Sequence, residues 1–176
     1  MRKLLMAALA ALFPSLAIGA DCVNAPVATY TAPGFSCTVG GLTFSDFQVS
    51  LDKEGAGSTA LGNVTPVKFG DRRGFTLNYV AAVYGGGNAT LSVSYTVSGG
   101  VRDALAAVTG VATNGGQLLY SSQVGSAFLI RSGEGSTSVV VAGDNVPVRS
   151  TLVVLSGEGS ATSGLMLNTF GGGPAQ

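Results

Sequence analysis

Hydrophobic and polar residues alternate with a period of two along much of this chain. In Thr90-Leu91-Ser92-Val93-Ser94-Tyr95-Thr96-Val97-Ser98 every odd position is apolar and every even one carries a hydroxyl. Successive side chains of a strand point to opposite sides, so this segment predicts a strand with one face in a core and a hydroxyl-bearing face outward. Leu42, Phe44, Phe47, Val49 and Leu51 alternate as well, apart from one extra residue around Ser45-Asp46, where a β-bulge restores the phase. Phe75, Leu77 and Tyr79 run on into Val80-Ala81-Ala82-Val83-Tyr84, a stretch expected to be buried on both faces. Further strands are predicted at Val64–Phe69, Leu105–Val111, Gln117–Gln123, Ala127–Arg131, Ser136–Ala142, Val148–Leu155 and Gly164–Phe170. Between them lie Gly85-Gly86-Gly87-Asn88, Gly99-Gly100, Asn114-Gly115-Gly116 and Gly143-Asp144-Asn145, whose residue types accept the positive φ of tight hairpins. Val101–Val108 has a helical composition but no helix-length apolar stripe, and is read as strand. Nine or ten short strands with such turns predict an all-β fold, a single-domain antiparallel β-sandwich of jelly-roll type.

The N-terminus sets the compartment. Met1-Arg2-Lys3 is a basic start, Leu4 to Leu16 an apolar run, and Ala17-Ile18-Gly19-Ala20 the small residues of a cleavage site, together the layout of a secretory signal peptide. The expected organisation is a signal peptide over residues 1–20, a sandwich domain over 21–170 and a flexible tail over 171–176. Export to an oxidising compartment makes the only two cysteines, Cys22 and Cys37, a predicted disulfide. No segment after the signal approaches the ~18 consecutive apolar residues of a spanning helix. With Arg2 and Lys3 removed, seven basic side chains stand against nine acidic ones, a net charge of about −2. The cations are scattered, and a nucleic-acid groove needs them clustered to displace phosphate counterions. A small outer-membrane β-barrel also fits the length and alternation; the missing Trp and the N-terminal cysteine pair speak against it.

Histidine is absent, which removes the commonest general base, the commonest zinc ligand and the usual partner of a serine nucleophile. No serine sits in a Gly-x-Ser-x-Gly elbow ahead of a helix-forming segment, and no catalytic residue is assigned. Most of the acidic residues fall at predicted turns and strand ends, so no enzyme is expected. Ser132-Gly133-Glu134-Gly135-Ser136 recurs as Ser156-Gly157-Glu158-Gly159-Ser160, which reads as a reused hairpin turn. Glu134 and Glu158 are the weak calcium candidates, since calcium wants six to eight oxygens and few stand nearby. For sugar binding the candidates are Tyr84 beside Gly85-Gly86-Gly87-Asn88, together with Asn78 and Asn88, because a pyranose stacks on an exposed ring while amides bind its hydroxyls. Tyr30, Phe35, Phe44, Phe47, Phe69, Phe75, Tyr95, Tyr120, Phe128 and Phe170 are expected in the core or half-buried.

Several segments resemble a known family. They are Cys37-Thr38-Val39-Gly40-Gly41-Leu42-Thr43-Phe44-Ser45-Asp46-Phe47, Val64-Thr65-Pro66-Val67, Gly74-Phe75-Thr76-Leu77, Leu91 to Val97, and Asn168-Thr169-Phe170. Their order resembles the secreted β-rich domains of PEP-CTERM-type exported proteins of Gram-negative bacteria, over most of the chain after the signal. The family's C-terminal Pro-Glu-Pro, apolar span and basic end do not follow; the sequence closes on Gly171-Gly172-Gly173-Pro174-Ala175-Gln176. The resemblance implies a non-enzymatic cell-surface or extracellular-matrix protein in the periplasm or at the cell surface. Its partners would be exopolysaccharide or other surface proteins, with no cofactor. A lectin-like carbohydrate-binding module is the alternative function.

Overall fold

The computed structural model describes residues 20–172; the predicted signal peptide, apart from Ala20, and residues 173–176 of the predicted tail lie outside them. Thirteen strands and one short helix follow in chain order. The first stretch holds β1 (Ala20–Asp21), β2 (Ala25–Pro26), α1 (Val27–Tyr30), β3 (Ser36–Val39) and β4 (Leu42–Glu54). Next come β5 (Gly57–Phe69), β6 (Arg72–Tyr84), β7 (Asn88–Ser98), β8 (Val101–Thr113) and β9 (Gln117–Val124). The chain closes with β10 (Ala127–Ser132), β11 (Gly135–Gly143), β12 (Val146–Leu155) and β13 (Ser160–Gly172). They form two open sheets packed face to face, a seven-stranded one in the order β1-β3-β4-β7-β12-β9-β10 and a six-stranded one in the order β11-β8-β13-β6-β5-β2. Both sheets have free edges, so the chain is a sandwich and the barrel expectation falls. Pairing is antiparallel throughout, except between β1 and β3.

The period of two explains the layers. Leu91, Val93, Tyr95 and Val97 of β7 are buried, while Ser92, Ser94, Thr96 and Ser98 stand on the outer face. In β6 the alternation continues to the end of the strand. Ala81 and Val83 are buried, whereas Val80 and Tyr84 are exposed, because only one face of β6 meets the other sheet. Two-sided burial of this run is therefore not observed. Phe69 and Phe128, expected inside, point outward at 59% and 66% exposure. Phe128 shares an edge strand with Ile130, and the inward place between them belongs to the buried Leu129.

Seven aromatic rings close one end of the core. Phe44, Phe47 and Tyr95 come from the seven-stranded sheet, Phe75 and Phe170 from the six-stranded one, Tyr30 from α1 and Phe35 from the loop after it. Phe44 and Phe75 meet edge to face with centroids 4.5 Å apart, and Phe47 stacks on Tyr95 at 5.2 Å and 23°. Such pairs add to the burial of their area, by roughly 0.5–1.5 kcal/mol each. Tyr30 donates its hydroxyl to the Val23 carbonyl at 2.6 Å, and burial raises its pKa to about 12. Farther along the core the Tyr120 hydroxyl lies 3.1 Å from both Ser150 Oγ and Asn168 Oδ1, and Ser122 and Ser150 are 2.9 Å apart. These shared bonds make the interior polar groups tolerable in an apolar layer. The Tyr95 hydroxyl is buried without a hydrogen-bond partner; burial pushes its pKa well above the ordinary tyrosine value, and neighbouring Tyr120 adds to the rise.

The N-terminal hook is tied down by the predicted disulfide, Cys22 to Cys37, whose Cα atoms are 4.9 Å apart. The predicted tail boundary moves: Gly171 and Gly172 belong to β13. Gly171 pairs with Arg72 on one side and Asp103 on the other, and those two side chains form an ion pair across it. A Cβ on Gly171 would come within 2.4 Å of the Asp103 carboxylate, so a side chain there would collide with the bridge. At the β7–β8 turn the Asp144 carboxylate accepts hydrogen bonds from the Gly99 and Gly100 amides, both at 2.8 Å. This tie joins two hairpin turns and holds the carboxyl below its ordinary pKa.

Reducing the Cys22–Cys37 bridge frees a loop of 15 residues and is expected to cost about 3 kcal/mol in urea unfolding; an unchanged midpoint would show that the hook does not hold the domain. Because the Asp144 pKa is lowered on folding, its contribution is present above the unfolded value of about 3.9 and is lost as pH falls through the folded one. Wild type should therefore exceed Asp144→Asn in melting temperature at neutral pH, with the gap closing in acid.

Candidate functional site

Side chains from three adjacent strands build a shallow groove on the outer face of the seven-stranded sheet. Asp46, Gln48 and Ser50 come from β4, Ser92, Ser94 and Thr96 from β7, and Pro147, Arg149 and Thr151 from β12. The groove holds about 500 Å³ and is open along its length. Register places the residues in rows across the sheet. One row runs Gln48, Ser94, Arg149, Gln123, Phe128 and the next Ser50, Ser92, Thr151, Ser121, Ile130. The rows thus pass from hydroxyls and amides into two exposed apolar side chains on edge strand β10, with Ile130 at 78% exposure.

The groove owes its relief to the β4 bulge that the sequence pattern predicts. Ser45 pairs with Thr96 and Gln48 with Ser94, so Asp46 and Phe47 together oppose Tyr95. Asp46 takes a left-handed backbone, φ 58°, which Asp adopts more readily than most residues. Phe47 turns inward onto Tyr95, and Asp46 turns outward into the groove, where its carboxylate accepts the Ser45 hydroxyl at 2.9 Å. The opposing charge is Arg149, exposed and without a hydrogen-bond or ion-pair partner among the described residues. β7 lies between the two, so their backbones are two strand spacings apart, about 10 Å. Hydroxyls both donate and accept, amides do the same through separate atoms, and a guanidinium only donates. This set matches a hydroxyl-rich chain lying across the sheet. A chemistry needing two facing carboxylates finds one here; Asp52, the next acidic residue along β4, is six residues on, roughly 20 Å.

The predicted sugar residues do not converge. Tyr84 is exposed at 58% at the end of β6, and Asn78 stands on the same outer face six residues earlier, roughly 20 Å along the strand. Asn88 belongs to β7 in the other sheet and donates to the Glu54 carboxylate at 3.2 Å. Glu134 and Glu158 sit in the β10–β11 and β12–β13 turns. The backbone carbonyl of Glu134 accepts from Arg131 Nε at 2.8 Å, and Gly133 and Gly157 of these turns have positive φ, as a reused hairpin turn requires. Among the described residues no three acidic, cysteine or histidine side chains gather as a metal site would need. Sequence reasoning found the hydroxyl face of β7 but missed Gln48, Arg149 and Thr151, which reach it only through long-range strand pairing.

No protein-family model and no curated protein matches the chain. Solved structures with a partial likeness include a family 61 carbohydrate-binding module (TmCBM61) in complex with β-1,4-galactotriose, at 12% identity over 70% of this chain and 88% of that one, TM-score 0.33. The family 11 carbohydrate-binding module from Clostridium thermocellum, in complex with a β-1,3-1,4-mixed-linked tetrasaccharide, is 8% identical over 73% of this chain and 91% of that one, TM-score 0.30. The enzymatically active domain of bacteriophage CBA120 tailspike protein 4 is 13% identical over 72% of this chain and 19% of that one, TM-score 0.31. At these scores the likenesses carry no function across.

If the left-handed turn at Asp46 is what makes the bulge, Asp46→Gly should keep the domain as stable as wild type, whereas Asp46→Val should cost about 1–2 kcal/mol. Equal unfolding midpoints for the two variants would contradict this.

Proposed function

We propose that this chain is a non-enzymatic polysaccharide-binding protein of the cell surface or extracellular matrix, and that it binds through the groove across β4, β7 and β12. The observation that carries this reading is the groove's lining. An open groove of about 500 Å³ is lined by hydroxyls, a carboxamide, one carboxylate and one guanidinium, together with Pro147 and parts of Val49, Val93 and Val148. An extended sugar chain presents hydroxyls along its whole length, and each needs a partner as it leaves water. A row of serines at every second position of one strand offers such partners repeatedly along its length. The groove is open, as a surface that holds part of a long polymer must be. Its single carboxylate supports binding over hydrolysis, since glycosidic cleavage uses two carboxyl groups about 5–9.5 Å apart.

The setting supports the same reading. The Cys22–Cys37 bridge suits an oxidising, extracytoplasmic compartment, and among the described residues no helix is long and apolar enough to cross a membrane. On this reading the protein works in the periplasm or on the surface of a Gram-negative bacterium, among exopolysaccharide, the setting its resemblance to PEP-CTERM-type exported proteins implies.

Affinity electrophoresis and a glycan array test this directly. Ser94→Tyr, which fills the middle of the groove from a half-buried, outward-facing strand position, should weaken polysaccharide binding at least tenfold with the fold intact by circular dichroism. Tyr84→Ala should leave binding unchanged. Loss with Tyr84→Ala and none with Ser94→Tyr would move the site to the other sheet and overturn the reading.

A further inference from the structure

We infer that the polymer held in the groove is acidic and that Arg149 binds its carboxylate groups; this rests on the groove being the binding surface. Arg149 stands on β12, near the middle of the seven-stranded sheet, with Ser94 on one side and Gln123 on the other. Among the described residues it makes no hydrogen bond and no ion pair, although it is exposed on a sheet of well-paired strands. Of the other four arginines among the described residues three are occupied, and the fourth, Arg102, is exposed outside the groove. Arg72 pairs with Asp103, Arg73 donates to the Gly70 carbonyl at 2.6 Å, and Arg131 donates to the carbonyls of Glu134 and Ser136 at 2.8 and 3.1 Å. Those three fasten turns and strands of the protein itself. Arg149 fastens nothing.

The neighbours sharpen the chemistry. Gln48, Ser94, Thr151 and Gln123 are neutral, and the only acidic group lining the groove, Asp46, stands across β7 and already takes the Ser45 hydroxyl. A guanidinium presents parallel N–H groups that match the two oxygens of a carboxylate, a fit that neutral sugar hydroxyls do not offer. The hydroxyl ladder then serves the remaining sugar oxygens. A uronic-acid polymer supplies both features, a ring carboxylate and flanking hydroxyls. Asp46 contributes discrimination, because its negative charge opposes an anion at that end of the groove and fixes which way the acidic unit faces.

Affinity electrophoresis with polygalacturonate, alginate and hyaluronate, each beside its methyl ester, tests this on the intact protein. Wild type should bind at least one acidic polymer ten or more times tighter than its ester, and the advantage should shrink as salt is raised. Arg149→Gln should bind acid and ester alike. Arg102→Gln, which removes an exposed cation outside the groove, should keep the preference. Equal binding of acid and ester by wild type, or a preference that survives Arg149→Gln, overturns this inference and leaves the groove reading standing if Ser94→Tyr still abolishes binding. Failure to bind acids and esters, together with silence on neutral glycans, overturns both.

Discussion

At Asp46 and Phe47 two consecutive residues of β4 face one residue of β7, and each is sent to a different side of the sheet. Phe47 joins the rings that hold the two sheets together, stacked on Tyr95 and edge to face with Tyr30 and Phe75. Asp46 enters the groove as its carboxylate. Core and surface are thereby coupled through one backbone irregularity. With the extra residue kept but the bulge flattened into regular strand, every side chain of β4 beyond it would swap faces, Phe47 would point to water and Gln48 and Ser50 would enter the core. The left-handed φ at Asp46 is the local cost of that arrangement, and the aromatic cluster beneath holds it in place.

The rest of the seven-stranded sheet follows from the same alternation. Inward, the side chains of β7 and β12 are aliphatic apart from Tyr95 and Ser150, and Ser150 shares hydrogen bonds with Tyr120, Asn168 and Ser122 of β9. Outward, small hydroxyl-bearing residues leave room, so the face is a groove instead of a ridge. Longer side chains rim it: Gln48 from β4, Arg149 from β12, and Phe128 and Ile130 beyond. On the proposed reading, the hydroxyls of this face would regain from a sugar chain the hydrogen bonds they give up to water.

Much of this was legible in the sequence where the signal is local. The period of two, the turns at Gly85-Gly86, Gly99-Gly100 and Asn114-Gly115, and the bulge near Asp46 all stand in the structure. So do the strand readings at Val101–Val108 and Leu105–Val111, which merge into β8, where an alanine-rich composition yields to the neighbours β11 and β13. The first half of β5 was not legible: Gly57 to Asn63 is small and polar, and becomes strand because the long β6 offers it a partner. Strand order was not legible either. β4 and β12 flank β7 from opposite ends of the sequence, so no local pattern assigns Gln48, Ser94 and Arg149 to one row. Tyr84 drew notice for its turn and is indeed exposed, but it lies on the other sheet from Asn88. Phe128 was misplaced because Ala127-Phe128-Leu129-Ile130 is apolar at every position and gives no phase.

The groove as binding surface is the central claim, and a 15N–1H chemical-shift titration with acidic oligosaccharides tests it most directly. The expected result is a contiguous set of shifts at Gln48, Ser92, Ser94, Arg149 and Thr151, with Tyr84 and Asn78 still. Shifts gathered on the outer face of the six-stranded sheet, or none anywhere with acidic and neutral oligosaccharides alike, would contradict it.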